Sequence, residues 1–62
     1  MTGLRERQKA DRTRRILEAA STLFRAQGYD AVRIEDIAAA ADVSAGTCYN
    51  YFSTKGDILL AI

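Results

Sequence analysis

Apolar residues recur with a helical period along the first half of the chain. Between residues 9 and 27 the pattern falls at i, i+4, i+7, i+8 and i+11, which places it on one face of an α-helix. Gly28 follows, and glycine commonly ends helices because it adopts left-handed backbone angles without strain. We therefore expect a helix over about 9–27, preceded by a polar arm over 1–8 that lacks this period. The predicted stripe consists of Ile16, Ala20, Leu23, Phe24 and Gln27, widened by Leu17 and Ala19.

Two shorter helical patterns follow, and a break separates them. We expect a second helix over about 33–41 and a third over about 44–52. Asp42 interrupts the pattern, and aspartate tolerates left-handed geometry better than most residues, so a tight turn is predicted there. Ser44 is a good N-cap for the third helix. The buried positions predicted for the second helix are Ile34, Ile37, Ala38 and Ala41.

A fourth pattern ends the chain. Ser53 or Thr54 can cap a helix that begins near Lys55 and carries apolar residues, among them Ile58. No glycine, proline or basic last turn closes this helix. We therefore expect that the 62 residues belong to a longer protein, or that a partner covers this apolar end.

These patterns predict one small all-α domain. Its fold class is a three-helix bundle that contains a helix-turn-helix, plus the start of a fourth helix. The predicted organisation is a flexible basic arm over 1–8 and the helical domain over 9–62.

Composition narrows the possible functions. A chain of 62 residues has little scaffold for a deep substrate pocket. It contains no histidine and one cysteine, Cys48, so Cys/His metal sites, disulfide frameworks and His-based catalytic triads are excluded. We expect no enzyme activity, no cofactor and no metal. A lone thiol and the lack of a long apolar run favour a cytoplasmic protein without a membrane segment.

Charge is distributed unevenly. Residues 1–15 hold six basic and two acidic residues, a formal charge of +4, whereas residues 16–62 hold three basic and six acidic residues, a formal charge of −3. A basic end on an acidic body suggests attraction to a polyanion. A solvated, disordered terminus explains the same charges.

The second and third predicted helices have the spacing of a helix-turn-helix, in which the second helix of the pair enters the roughly 12 Å major groove of DNA. On a helical wheel, Cys48 and Phe52 share the inward side of that helix. Gly46, Thr47, Tyr49 and Asn50 form the opposite face, which carries hydrogen-bonding groups and no charge. A face exposed only to water more often carries Lys or Glu. The pattern therefore favours contact with a nucleic acid.

A family resemblance supports this interpretation. Residues from about 12 to 62 resemble the N-terminal DNA-binding region of the tetracycline-repressor (TetR) family of bacterial transcription regulators. The elements that match in order and spacing are Thr13-Arg14, Ile16-Leu17, Ala20, Phe24, Gly28-Tyr29, Asp36-Ile37-Ala38, Val43-Ser44, Gly46-Thr47, Tyr49, Tyr51-Phe52 and Lys55.

The chain departs from the family pattern at four positions. Asp42 stands where the family usually has glycine, and Arg33 replaces a threonine that commonly caps the second helix. Cys48 replaces a larger side chain, which should loosen the core modestly. Gly56 replaces a usual glutamate, and glycine within a helix costs about 1 kcal/mol relative to alanine.

The resemblance implies DNA contacts at Thr47, Tyr49, Tyr51 and Lys55. Asn50 is the best candidate for reading a base, since an asparagine amide can bond adenine N6 and N7 together, although it equally suits a backbone contact. Arg33 is placed to reach a phosphate. The complete predicted DNA-binding set is Arg33, Ser44, Ala45, Gly46, Thr47, Tyr49, Asn50, Tyr51 and Lys55.

The resemblance also implies a function for the whole protein. Such a regulator binds a pseudo-palindromic operator as a homodimer, and a small-molecule effector in a C-terminal domain, absent from these residues, releases it. We expect a repressor that acts on the nucleoid in the bacterial cytoplasm. The alternative is a small helical protein-interaction module whose apolar last helix docks on a partner. An enzyme is a distant third possibility, because the Glu35-Asp36 pair fits a solvated first helical turn.

Overall fold

The computed structural model describes residues 3–62. Over that range the chain forms four α-helices and no strand, in the order α1 (Leu4–Gln27), α2 (Ile34–Ala40), α3 (Ala45–Tyr51) and α4 (Lys55–Ala61). A short 3₁₀ turn, Tyr29–Ala31, lies between α1 and α2. The all-α fold predicted from the sequence is confirmed. No helix within residues 3–62 is both long and apolar enough to cross a membrane.

Helix α1 begins five residues earlier than its apolar period predicts. It starts at Leu4, with Gly3 as the N-cap, and the Arg7 amide donates to the Gly3 carbonyl at 3.1 Å. Residues 4–8 are exposed, so they show no apolar stripe although Leu, Arg, Glu and Gln are good helix formers. The predicted helix start near residue 9 is therefore wrong. The flexibility of the arm and the domain boundary stay predictions, and residues 1 and 2 lie outside the described range.

Gly28 ends α1, as predicted, with a backbone that only glycine adopts readily. Its φ of 87° is positive, but its ψ of 150° makes it extended rather than left-handed helical. The Gly28 amide donates to the Phe24 carbonyl at 2.9 Å. The chain then reverses, and the Tyr29 ring lies 5.2 Å from the Phe24 ring, centroid to centroid. Gln27, predicted to continue the stripe, is exposed because α1 has by then passed the edge of the core.

The core lies where α1 packs on α2 and α4, with α3 packed on α2. α1 contributes Ile16 and Ala20, while Leu23 and Phe24 pack half-buried at its margin. Val32, which lies between the predicted first and second helices, is fully buried there. The other buried residues are Ile34, Ile37, Ala38, Ala41, Cys48 and Ile58. These residues confirm the predicted buried positions of α2.

The turn after α2 is a Schellman motif centred on Asp42. Asp42 has φ 60°, which confirms the predicted left-handed conformation. Its amide donates to the Ala39 carbonyl at 3.2 Å, and the Val43 amide donates to the Ala38 carbonyl at 3.0 Å. Left-handed geometry at a residue with a side chain costs roughly 1 kcal/mol, and aspartate is among those that bear it best. Both bonds close the end of α2 and aim the chain into α3.

Side-chain caps begin the three short helices. The Asp36 carboxylate accepts from the Arg33 amide at 3.0 Å at the start of α2. Ser44 accepts from the Thr47 amide at 3.0 Å, which confirms the predicted cap of α3. Of the two residues predicted to cap α4, Thr54 is the one that does so, accepting from the Asp57 amide at 3.1 Å. These caps set the boundaries of helices too short to persist alone.

Candidate nucleic-acid interface

The candidate interface is the exposed side of α3. Cys48 is fully buried and Phe52 is half-buried against the core, as the wheel predicted for the inward side. Tyr51, which the wheel did not place on that side, is half-buried against the core as well. Gly46 and Asn50 are exposed on the opposite side. No charged residue occurs between Ala45 and Tyr51, so the helix presents hydrogen-bonding groups without a net charge of its own.

The first turn of this face is tied together by two hydroxyls. The Ser44 hydroxyl accepts from the Thr47 amide and donates to the Thr47 hydroxyl oxygen at 2.8 Å. Thr47 is therefore half-buried, where the wheel predicted an outward residue. Ala45 is likewise half-buried against the core. Ser44 itself is exposed, so the start of α3 combines a formed cap with an accessible surface.

Tyr49 is the most prominent side chain of the face. It is 45% exposed, and its hydroxyl donates to Glu35 Oε1 at 2.9 Å. The hydrogen bond to the Glu35 carboxylate, followed by partial desolvation, raises the pKa of Tyr49 above its usual value. The contact joins α3 to the first turn of α2 across the outside of the helix-turn-helix. Glu35 was not predicted as a site residue, since only the folded chain shows that it reaches Tyr49.

Gly46 leaves open space on the surface of α3. A Cβ built at this position would meet no heavy atom nearer than the Ser44 hydroxyl oxygen, at 4.0 Å. Its φ is not positive, so the backbone does not demand glycine either. Neither packing nor backbone geometry within residues 3–62 explains a glycine here, although glycine is unfavourable in a helix. A surface that something approaches closely does explain it.

The two predicted cations lie at the starts of α2 and α4. Arg33 is exposed and immediately precedes α2, two residues from the Glu35 that holds Tyr49. Lys55 opens α4, where its ammonium group donates to the Tyr29 carbonyl at 2.7 Å and lies 4.3 Å from the centre of the Tyr29 ring. A cation at a helix N-terminus is unfavourable to the helix dipole, and these two contacts with Tyr29 compensate Lys55 for that cost. DNA contact by either cation stays a prediction.

Arg15 braces the turn that leads into α3. Its Nε donates to the Ala41 carbonyl at 3.2 Å, and its Nη2 donates to the same oxygen at 2.8 Å and to the Asp42 carbonyl at 3.2 Å. Its Nη1 pairs with the Asp11 carboxylate at 3.3 Å. Sequence reasoning missed this residue, because Arg15 stands 26 positions before Ala41 and no local pattern marks the contact.

Cys48 is a buried thiol on the inner side of α3. Burial disfavours the thiolate and raises the pKa of Cys48 above its ordinary value. A thiol held in its neutral form inside a core acts as a small apolar side chain. The structure agrees with the interpretation of Cys48 as a core residue.

Comparison with known proteins places this architecture in a family. The family model described as "Bacterial regulatory proteins, tetR family" matches residues 16–62, which cover α2, α3, α4 and the second half of α1. The chain belongs to the tetR family. The resemblance found in its sequence is thereby confirmed, and the chain contains the DNA-binding domain of a transcription regulator of that family.

Three curated proteins illustrate the relationship. The HTH-type transcriptional repressor KstR of Rhodococcus jostii is 41% identical over 51 residues, covering 82% of this chain and 24% of that protein. The HTH-type transcriptional regulator HbdR of an Aromatoleum species is 47% identical over 49 residues, covering 79% of this chain and 21% of that protein. The HTH-type transcriptional regulator TcmR of Streptomyces glaucescens is 41% identical over 59 residues, covering 94% of this chain and 26% of that protein.

The chain thus spans about a quarter of the length of the curated tetR-family relatives that it matches. No solved structure gives a significant match. Arg15 lies immediately before the residues that the tetR family model matches.

Proposed function

We propose that α3 is the recognition helix of a tetR-family regulator and enters the major groove of double-stranded DNA. The observation that carries this proposal is its exposed, uncharged, hydrogen-bonding face, held on a helix whose other side is buried at Cys48. A charged face would suit water equally well. A face built from Tyr49, Asn50 and a bare glycine suits a surface that offers donors, acceptors and thymine methyl groups at close range.

Each predicted residue has a role in this proposal. Asn50 is exposed and offers a paired donor and acceptor to a base edge, whereas Tyr49 offers a ring and a hydroxyl that Glu35 already orients. Gly46 lets the DNA backbone or a base approach the helix. Arg33, Tyr51 and Lys55 supply contacts to phosphates on either side. The remaining members of the predicted set lie at the N-terminal end of α3, which enters the groove in this proposal. They are Ser44, Ala45 and Thr47.

Phosphate contacts and groove shape supply most of the affinity in this proposal. The face lacks an arginine that could pair with guanine, the commonest specific contact. Sequence discrimination by α3 is therefore modest. Binding weakens steeply as salt rises, because binding releases counterions from the DNA and a higher salt concentration opposes that release.

Titration of labelled duplex DNA by fluorescence anisotropy at several salt concentrations tests the proposal. We expect a linear fall of log affinity with log salt. Arg33→Gln should reduce that slope by about 1, because one phosphate contact is lost. Arg25→Gln is the matched control: it removes the same charge from an exposed residue whose guanidinium bonds Ser21 on α1. A nearly flat slope for the unaltered protein contradicts the proposal.

The face of α3 is tested by Tyr49→Ala in the same titrations. We expect weaker binding, since both the ring and the hydroxyl leave the interface. Lys55→Ala should also weaken binding, but it removes two contacts to Tyr29, so its fold must be checked by circular dichroism. If the unaltered protein binds no duplex at low salt, and neither substitution alters that result, the alternative function as a protein-interaction module is favoured instead.

The proposal extends to the whole regulator. We infer that it acts as a repressor in the bacterial cytoplasm, bound as a homodimer to a pseudo-palindromic operator. Its dimer contacts and a small-molecule effector site are placed in a C-terminal domain outside these 62 residues. Family membership and the named relatives, one of them a repressor, support this inference. Induction tests it: a ligand of the regulator should release operator DNA in a mobility-shift assay.

A second candidate function, protein contact through α4, has an observation of its own. Leu59, Leu60 and Ile62 are 49%, 87% and 56% exposed, an apolar surface at the end of the domain. Leu60→Glu should then change the assembly state in analytical ultracentrifugation, whereas Tyr49→Ala should not. DNA binding through α3 and protein contact through α4 use different surfaces, so the two candidates are compatible.

A further inference from the structure

We propose that Arg15 is a positioning residue for DNA recognition: it holds the turn that aims α3, without touching DNA itself. The inference rests on the proposed function of α3 as the recognition helix. It starts from the three hydrogen bonds that one guanidinium donates to the carbonyls of Ala41 and Asp42.

These two carbonyls are the place where a brace acts most effectively. They follow the last residue of α2, and carbonyls at a helix C-terminus carry partial negative charge and lack helical partners. Asp42 also holds the strained left-handed conformation that reverses the chain toward α3. A rotation of this one residue swings α3, since only Val43 and Ser44 separate it from the helix.

Arg15 is itself held in place. Its Nη1 pairs with Asp11 one turn earlier on α1, at 3.3 Å, and Asp11 also pairs with Arg14 at 2.8 Å. The guanidinium is therefore fixed between a carboxylate on α1 and two carbonyls of the turn. Charge-assisted bonds of this kind are shorter and stronger than neutral ones. The contact makes α1 the reference against which the recognition helix is oriented.

The chain provides a matched control at the adjacent position. Arg14 has the same charge and lies on the same helix, but within residues 3–62 it pairs with Asp11 and Glu18 on α1 and has no bond to the turn. Arg14→Gln and Arg15→Gln thus remove equal charge, and only the second removes the brace.

The experiment measures the affinity of the purified protein for a duplex that the unaltered protein selects from a random DNA library. Arg15→Gln should weaken binding by about tenfold, because the hydrogen bonds from a charged donor to the carbonyls of Ala41 and Asp42 are lost. Arg14→Gln should weaken it by less than about twofold, since exposed charges are largely screened. The slope of log affinity against log salt should be the same for Arg15→Gln and the unaltered protein, because no phosphate contact disappears. A shallower slope overturns the proposal in favour of direct phosphate contact.

A second readout, which a merely structural role would not change, is rescue of the DNA affinity of Arg15→Gln by a second substitution. Asp42→Gly relieves the left-handed strain, so Arg15→Gln should weaken binding less in the Asp42→Gly protein than in the original. Arg15→Lys keeps the charge and can bond one carbonyl at a time. Its DNA affinity should therefore lie between that of Arg15→Gln and that of the unaltered protein. If Arg15→Gln does not fold, as judged by circular dichroism, Arg15→Lys decides the question by the same comparison. Equal affinity of Arg15→Lys and the unaltered protein then overturns the proposal.

Hydrogen exchange separates failure of this inference from failure of the proposed function. The amides of Asp42 and Val43 donate within the turn, so their exchange should accelerate in Arg15→Gln and stay unchanged in Arg14→Gln, without DNA present. If the unaltered protein binds no duplex, the proposed function fails, and the exchange rates still show whether Arg15 holds the turn. Unchanged exchange at both amides, or unchanged DNA affinity in a protein that binds, overturns the positioning role.

Discussion

Helices α3 and α4 are built to the same plan and differ in what they expose. Each has seven residues, a capping hydroxyl that accepts a hydrogen bond from a backbone amide, a glycine at its second position and one fully buried residue. On its outer side, however, α3 carries Tyr49 and Asn50, whereas α4 carries Leu59 and Leu60. The shared features anchor each helix in the fold, and the exposed residues determine which kind of partner each helix can contact. The difference in exposed residues is the basis for the proposed DNA contact through α3 and the proposed protein contact through α4.

The buried anchors should differ most in their effect on stability. Ile58→Ala removes a branched side chain that has no exposed surface, and we expect a loss of about 2–5 kcal/mol of unfolding free energy. Cys48→Ala removes one sulfur from an equally buried site and should cost about 1 kcal/mol. Urea denaturation followed by circular dichroism measures both. Equal losses would show that α3 and α4 are anchored with equal strength.

The caps separate stability from DNA binding. Ser44→Ala and Thr54→Ala should each cost about 1 kcal/mol, since each leaves a helix amide without its acceptor. Only Ser44→Ala should also weaken DNA binding, because the Ser44 hydroxyl is also bonded to Thr47 at the start of α3, the proposed recognition helix. Denaturation and anisotropy measured on both variants test the difference. A matching loss of affinity in Thr54→Ala would contradict the assignment of roles.

The two glycines offer a smaller and more specific test. Gly46→Ala should stabilise the unbound protein by about 0.5 kcal/mol, since alanine is the better helix former and a Cβ fits there. It should weaken DNA binding if the surface is approached closely. Gly56→Ala is the control on α4, where a Cβ would meet Tyr29 and Thr54 at an ordinary 3.7 Å. Gly46→Ala that binds DNA as tightly as the unaltered protein would remove the role assigned to this glycine.

The smallest effect concerns the hydroxyl of Tyr49 at high pH. Its bond to Glu35 raises the pKa of Tyr49 in the folded protein above the unfolded value. The stability that this bond contributes is therefore fully present below the unfolded pKa and is lost as pH rises through the folded pKa. Tyr49→Phe should abolish this alkaline loss. Denaturation curves at neutral and alkaline pH, with tyrosinate absorbance as a second signal, measure the difference.

Local signals in the sequence predicted much of the fold. Asp42 lies between two apolar patterns, where only a tight turn fits, and it is left-handed in the structure. Ser44 precedes an apolar pattern and caps α3. Residues 4–8 were missed because a helical segment with every residue exposed has no apolar period. Val32 was missed for the opposite reason, since one buried residue in a connector has no period at all.

The candidate interface was only partly predictable. The outward positions of Gly46, Tyr49 and Asn50 follow from helical geometry, because 100° per residue determines which side chains share a face. The bond from Tyr49 to Glu35 and the contacts of Lys55 with Tyr29 join residues 14 and 26 positions apart. No pattern along the chain encodes a distance across the fold.

The sequence by itself determined the four helices, the Ser44 cap of α3, the turn at Asp42 and the family, because each depends on residues close together or in fixed order along the chain. Tertiary structure alone decided which charges are engaged. It brought Arg15 to the carbonyls of Ala41 and Asp42, and it placed Glu35 against Tyr49. A hydrogen bond requires its two atoms to lie within about 3 Å, and only packing of the helices brings such distant residues that close.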